Sequence, residues 1–260
     1  MGIFDGFLIC SDIDGTFTGN EGVSEANTQA VKYFTQNGGK FTFTTGRMAT
    51  HLIDYGFSDI INAPACICNG AVIYDYESKR VLSETYMDFT VKEFLDEVNE
   101  KLLPSGSADI YYTHDASGIV RYIPGDRLDE DKLYIKPLKV VCRFETVRDA
   151  DEFKSYAQGC SMFKNSYISK SWSYGVEFNL STATKGHALD FIKKYLGNIH
   201  TAIGIGDYEN DVPLLKHADI GVAVGNALDE VKQAADMVIK SNNGFAVKNL
   251  IEILEKRQEG

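Results

Sequence analysis

The chain has 260 residues, 44% of them apolar and 24% charged, which suits one large α/β domain or two modest ones and excludes a disordered, collagenous or disulfide-stapled chain. Its formal net charge of −11 repels a phosphate backbone and argues against a nucleic-acid partner, while an enzyme of anionic substrates would need local positive charge, a metal above all, against that field. The five cysteines (Cys10, Cys66, Cys68, Cys142, Cys160) are odd in number and lack a C-x-x-C pair, against both a disulfide framework and a structural zinc site; Cys10 and Cys68, in apolar runs, read as small core residues.

Residues 7–11 form a short apolar run expected as a buried strand, ending at Asp12-Ile13-Asp14-Gly15-Thr16. Ser24 caps a helix with Ala26, Ala30, Val31 and Phe34 on one side, and Asn37-Gly38 stops it. Residues 40–44 read as a strand running into Thr45-Gly46-Arg47, a helix follows to about Gly56, and 65–68 read as a third strand ending in Asn69-Gly70. Strands alternating with helices predict parallel pairing and a sheet covered on both faces. From about Val81 the pattern changes. Residues 90–103 read as an amphipathic helix with Phe94, Val98 and Leu102 spaced by four. Strands are expected at 109–113, 118–123, 137–144, 162–169 and 174–180, the last two a hairpin around Lys170-Ser171, with a helix near 147–158. From Thr184 the first pattern returns: a helix over 185–195, a strand over 201–205, then Gly206-Asp207-Tyr208-Glu209-Asn210-Asp211, and short strands at 220–224 and 237–239 among helices. The expected fold is α/β: a Rossmann-like parallel-sheet core with helices on both faces, made from residues 1–82 and 184–260, interrupted by an inserted α+β cap domain over 83–183.

In open α/β sheets, ligands bind beyond the carboxyl ends of the strands. Three polar clusters fall at such ends, at 12–16, 45–47 and 206–211, and Lys185 opens a helix soon after a fourth strand. Their convergence is the argument, because each has a plainer reading alone. Asp12 can accept a phosphoryl group, and Asp14 can protonate the leaving oxygen and then deprotonate water, with Gly15 allowing a sharp turn. The plainer reading is an Asx-rich turn. A calcium loop fails, because the third ligand is missing and Val23 stands at the terminal Glu position. Asp207 with Asp12 can hold magnesium through carboxylate oxygens, and Asp211, one turn on, can reach the same centre; alternatively Asp207, Glu209 and Asp211 only meet a helix dipole. Thr45-Gly46-Arg47 is an anion site at a helix start, or merely an N-cap; Lys185 alone reads as a solvated helix lysine and Asn69-Gly70 as a turn. Around a phosphate dianion, each like-charge pair at about 4 Å and an effective dielectric of ~20 costs on the order of 4 kcal/mol, so the four aspartates require cations, with magnesium and Lys185 the obvious ones.

These motifs, in this order, resemble the haloacid dehalogenase superfamily of phosphotransferases, in its Cof-like branch with a large α/β cap. The likeness rests on Asp12-Ile13-Asp14-Gly15-Thr16, Thr45-Gly46-Arg47, Lys185-Gly186 and Gly206-Asp207-Tyr208-Glu209-Asn210-Asp211; Asn69-Gly70-Ala71 and residues 221–227 are also similar to that branch. It implies Asp12 as nucleophile and magnesium ligand, Asp14 as acid/base with its backbone carbonyl on the metal, and Thr45 and Lys185 as holders of the phosphoryl group. It further implies Asp207 as a metal ligand, Asp211 as a support directly or through water, and Gly46, Arg47, Asn69 and Asn210 near the phosphate or leaving group. The implied activity is a Mg2+-dependent phosphatase for a small phosphorylated metabolite (sugar phosphate, nucleotide or cofactor phosphate) acting through an aspartyl phosphate. Tyr208 departs from the branch, which most often has Ser there, and Phe17-Thr18 replaces a commoner apolar pair. Asp14 stands where related transport ATPases have Thr, which favours a phosphatase or mutase. A sugar phosphomutase would need a second phosphate site in the cap, for which Lys132, Lys136, Lys139, Arg143, Lys164 and Lys170 are candidates, unless they form a solvated sheet face. A non-catalytic sensor fits less well, since Asp12, Asp14, Lys185 and Asp207 are all present. Specificity is expected in cap loops, with Tyr111, Tyr112, His114, Arg121, Tyr122 and Trp172 as candidates, and the histidines show no metal spacing. No signal sequence, myristoylation pattern or long apolar run is legible, so a cytoplasmic monomer or homodimer without a membrane partner is expected.

Overall fold

A computed structural model of the protein describes residues 2–102 and 105–258. In chain order its strands and helices are β1 (Phe7–Ser11), β2 (Thr18–Gly19), β3 (Gly22–Val23), α1 (Glu25–Gln36), β4 (Lys40–Phe43), α2 (Ala49–Asp54), β5 (Ala65–Ile67), β6 (Val72–Asp75), β7 (Arg80–Glu84), α3 (Val91–Leu102), β8 (Ser107–Tyr111), β9 (Ile119–Tyr122), α4 (Glu130–Leu133), β10 (Lys139–Arg143), α5 (Val147–Gly159), β11 (Ser166–Ser169), β12 (Gly175–Leu180), α6 (Lys185–Leu196), β13 (Thr201–Gly206), α7 (Val212–His217), β14 (Ile220–Ala223), α8 (Asp229–Ala234), β15 (Met237–Val238) and α9 (Ala246–Gln258).

Five strands build one parallel sheet in the order β15-β14-β13-β1-β4. Every residue of β1 is buried, with no alternation, as expected of a strand covered on both faces. Ser24 caps α1 by accepting from the Asn27 N–H, and the Val31 and Phe34 side of that helix is buried. Because β1 and β13 are neighbours, residues 12–16 and 207–211 emerge side by side at the carboxyl edge.

A second sheet is antiparallel, β11-β12-β10-β8-β9. Here the pleat separates two faces. Ala108, Ile110, Val140, Cys142, Val176 and Phe178 point into a separate apolar core with Phe94 and Val98 of α3 and Phe153 of α5. Tyr111, Lys139, Val141, Arg143 and Glu177 point the other way, toward the motif loops. The α/β core with an antiparallel module therefore stands.

Several elements differ from expectation. The third strand, β5, touches the parallel sheet through one bridge, Thr44 to Cys66, and otherwise starts an antiparallel trio β5-β6-β7. The β6–β7 hairpin was not anticipated. Its turn bends through Lys79 at φ 55, a backbone state that lysine does not advertise in sequence. The expected strand over 162–169 begins only at Ser166, because Ser161–Phe163 form a 3-10 turn that buries Phe163 in the cap core. The helix over 90–103 is observed as Val91–Leu102, and Leu103 lies outside the described residues. All five cysteines are free; Cys10 and Cys68 are buried, as their apolar runs suggested. Among the described residues no helix is long and apolar enough to cross a membrane.

Candidate active site

Asp12 follows directly on β1, its N–H bonded to the Ile205 carbonyl of β13, and it is almost fully buried. The chain then turns through Gly15 at φ +79, where a Cβ would stand 2.4 Å from Asp207 Oδ2, so only glycine fits. That turn lets Thr16 Oγ1 donate to Asp207 Oδ1 at 2.8 Å. Asp211 Oδ2 accepts from the backbone N–H groups of Asp207 (3.0 Å) and Tyr208 (3.1 Å), which curls residues 207–211 into a tight turn. Its other oxygen accepts from Lys185 Nζ at 2.6 Å, and Lys185 also donates to Asp12 Oδ1 at 2.6 Å. The dipole reading of Asp211 therefore accounts for one oxygen only. Lys185 is no solvated lysine: Thr184 caps α6 and its first residue points inward, fully buried.

Carboxylate oxygens of Asp12, Asp207 and Asp211 lie within 4.8 Å of one another. Burial pushes the Asp12 carboxyl well up, with Lys185 opposing and Asp211 and Asp207 adding to the rise. Asp207 is pushed up to about 7, by burial first and by Asp211 next. Burial lowers Lys185, but Asp12 and Asp211 outweigh it and hold its ammonium charge firmly. One cation facing three acids leaves an anionic excess. Three hard oxygen donors in one pocket fit a divalent cation such as Mg2+, which takes carboxylates and keeps waters. The Asp14 carbonyl, also expected to ligate, lies on the same turn as Gly15.

A cavity of about 390 Å³ opens beside these acids. The core lines it with Asp12, Asp14, Thr45, Gly46, Arg47 and Asn210 among others, and the antiparallel sheet with Tyr111, Lys139, Arg143, Trp172 and Glu177. Asp14, with a side chain 60% exposed, is gripped by Arg47 through two bonds of 2.7 and 2.8 Å. The Arg47 guanidinium lies over the Tyr55 and Phe57 rings, at 5.1 and 5.7 Å. Thr45 is buried and accepts from the Arg47 N–H at 3.1 Å; it is not an N-cap, since Met48 occupies that place in α2 with no side-chain cap bond. A Cβ on Gly46 would stand 2.9 Å from Asn69 Oδ1 and 3.1 Å from Lys139 Nζ. Asn69 sits behind the cavity wall, at φ 60, donating to Glu177 Oε2 at 2.6 Å and accepting from Asn210 Nδ2 at 3.2 Å.

The cap candidates sort by the pleat. Lys139 is 2% exposed, donating to Glu177 Oε1 at 2.7 Å and to the Gly46 carbonyl at 3.2 Å. Arg143 donates to Asp109 at 2.5 Å and stacks at 4.9 Å over Trp172. Lys139 is therefore not on a solvated face, while Arg143, with a side chain 40% exposed, lines the cavity. Lys170 pairs with Asp151 and Lys132 with Asp129, and neither they nor Lys136 and Lys164 line the cavity. Tyr111 and Trp172 face it, whereas Tyr112 and Tyr122 are buried in the cap core. Arg121 lies against Asp109, and His114 stacks on Tyr74. Glu177, Asn179 and Asp109 went unnoticed in the sequence. The available signal was period-two alternation in β12, where Glu177 and Asn179 alternate with buried Val176 and Phe178.

The family model for haloacid dehalogenase-like hydrolases matches residues 9–251. A phosphoglycolate phosphatase of Methanobrevibacter smithii is 28% identical over 257 residues, covering 94% of this chain and 96% of that protein. A pyridoxal phosphate phosphatase of Escherichia coli is 24% identical over 263 residues, covering 94% and 97%. The solved structure of a haloacid dehalogenase-like hydrolase from B. subtilis superposes with a TM-score of 0.79 at 22% identity, covering 94% of this chain and 98% of that one. The chain belongs to the haloacid dehalogenase-like hydrolases.

Proposed function

We propose that this protein is a Mg2+-dependent phosphatase of a small phosphorylated metabolite, working through a phosphoryl group carried on Asp12. The supporting observation is the division of labour around one cavity: Asp12 buried against Lys185, and Asp14 exposed two residues away. One Asp12 oxygen attacks phosphorus while the ester oxygen leaves with a proton from Asp14; water, losing its proton to Asp14, then attacks the aspartyl phosphate and frees phosphate and Asp12. Lys185 holds the other Asp12 oxygen still. Thr45, Gly46 and Asn210 border the phosphoryl group, and Arg47 exchanges Asp14 for that group, which frees Asp14 to carry a proton. Magnesium, held by Asp12, Asp207, Asp211 and the Asp14 carbonyl, would offset the charge of the phosphoryl oxygens.

Residues 83–183 act in this reading as the cap that reads the leaving group. Relatives of nearly equal length carry the names of different substrates, phosphoglycolate and pyridoxal phosphate, which fits a constant core beneath a variable cap. A phosphomutase needs cap cations for a second phosphate. The two cap cations on this cavity, Lys139 and Arg143, are already engaged by Glu177 and Asp109, which favours the phosphatase and a leaving group without its own phosphate.

The test is phosphate release from a panel of phosphorylated metabolites with Mg2+ and with EDTA. Metal-dependent release with one substrate clearly preferred supports the reading. Release unaffected by EDTA would overturn the metal's role, and strong activation of an isomerisation by a bisphosphate would turn the assignment to a mutase.

A further inference from the structure

Within residues 207–211 the side chains face two ways. Asp207 and Asp211 turn to the carboxylate cluster. Glu209 turns to the antiparallel module and meets three of its groups. Lys154 of α5 donates to its carboxylate through a short ion pair, the Lys170 backbone N–H donates to the same oxygen at 3.0 Å, and the Tyr167 hydroxyl donates to the Glu209 carbonyl at 2.9 Å. The Glu209 and Lys154 side chains are mostly buried, 18% and 20% exposed, so solvent screens the pair only in part. Lys170 opens the loop that carries Ser171 and Trp172 to the cavity wall. One acidic side chain thus joins the turn bearing two candidate metal ligands to the loop bearing two cavity residues.

We propose that Glu209 is a positioning residue that couples the seating of the cap to the carboxylate turn, so that cation binding at Asp12, Asp207 and Asp211 and the placement of Trp172 are one linked event. The inference rests on the reading of those carboxylates as a Mg2+ site. Linkage makes the coupling reciprocal: a cation that fixes the turn steadies the Trp172 loop, and a seated loop strengthens cation binding by the same factor.

Trp172 is the single tryptophan of the chain, so its emission reports this loop. Mg2+ is titrated into the full-length protein while emission is followed, and binding is measured separately by calorimetry. The set is wild type, Glu209→Gln, Lys154→Met and Lys154→Arg, each first checked by circular dichroism. Wild-type emission is expected to change with the calorimetric Kd. Glu209→Gln and Lys154→Met should lose most of that change and bind Mg2+ about fivefold more weakly, the lower end of ordinary coupling. Lys154→Arg should retain both. Unaltered emission response and Kd in Glu209→Gln and Lys154→Met overturn the proposal, and so does a wild type that binds Mg2+ with silent Trp172. Absence of calorimetric binding to the wild type would instead remove the metal reading. Acrylamide quenching of Trp172 then decides the latch alone: stronger quenching in Glu209→Gln supports it, and equal quenching refutes it.

Discussion

Lys185 is shared between two buried carboxylates and has no contact with water, so removing its charge leaves Asp12 and Asp211 facing each other uncompensated. Breaking a buried ionic cluster in this way typically costs about 3–5 kcal/mol. Lys185→Met should lose about that much in urea denaturation in EDTA, and Mg2+ should return part of it, because a ligand of the native state alone stabilises that state. A loss of equal size with and without Mg2+ would show that lysine and cation do not serve the same oxygens. Asp12→Asn is the converse case. On the proposed mechanism it removes the acceptor, so kcat should fall at least about 10³-fold, yet it also thins a like-charged trio while Lys185 keeps Asp211. Its thermal midpoint in EDTA should therefore equal or exceed that of the wild type, and a large drop would mean that Asp12 is structural. The candidate motif residues were legible because several polar clusters converge at the carboxyl ends of strands, although each cluster alone has a plainer use. The contacts of Glu177 with Asn69 and of Glu209 with Lys154 were not, because they join residues 108 and 55 positions apart and spacing keeps no trace of them.

At the scale of elements, β10 and β12 divide apolar from polar residues by their pleat, and the polar side holds Lys139 and Glu177 at 2.7 Å with both almost wholly buried. Burial lowers the Lys139 ammonium and raises the Glu177 carboxyl, but the two together outweigh it, leaving Lys139 above and Glu177 below their ordinary ranges. Glu177→Leu alone strands a buried ammonium and should cost about 3–5 kcal/mol. Adding Lys139→Met removes the stranded charge, so the double variant should be less destabilised than the sum of the two single ones. A urea double-mutant cycle measures this, and strictly additive losses would dismiss the coupling. The polar face that carries this pair was within reach of strand periodicity, which located this sheet to within a few residues, but the pairing across it was not. The β6–β7 hairpin was out of reach because its turn is made by Asp75 bonding Ser78 and by Lys79 at positive φ, with none of the Asn-Gly or Gly-Gly pairs that advertise tight hairpins. The alternation of helix and strand fixes a parallel core, and it says nothing of a strand such as β5 that pairs both ways.

The whole molecule carries a net charge of −11 and must admit an anion. A basic funnel would help, and the cavity has three cations that could form one. Each is already spoken for: Arg47 by Asp14, Lys139 by Glu177 and Arg143 by Asp109. The wall is close to neutral, and the surrounding field is that of an acidic protein. Long-range steering should then work against the substrate, unlike in enzymes whose clefts attract it. Salt shortens that field from about 30 Å at 10 mM to about 8 Å at 150 mM, while ion pairs in direct contact inside the site are screened much less. At fixed, saturating free Mg2+, kcat/KM for a phosphate monoester should rise over that range of salt, through KM rather than kcat. A fall with salt would mean that a net positive surface faces the approaching substrate, and that the Lys139–Glu177 and Arg143–Asp109 pairs open before substrate is seated.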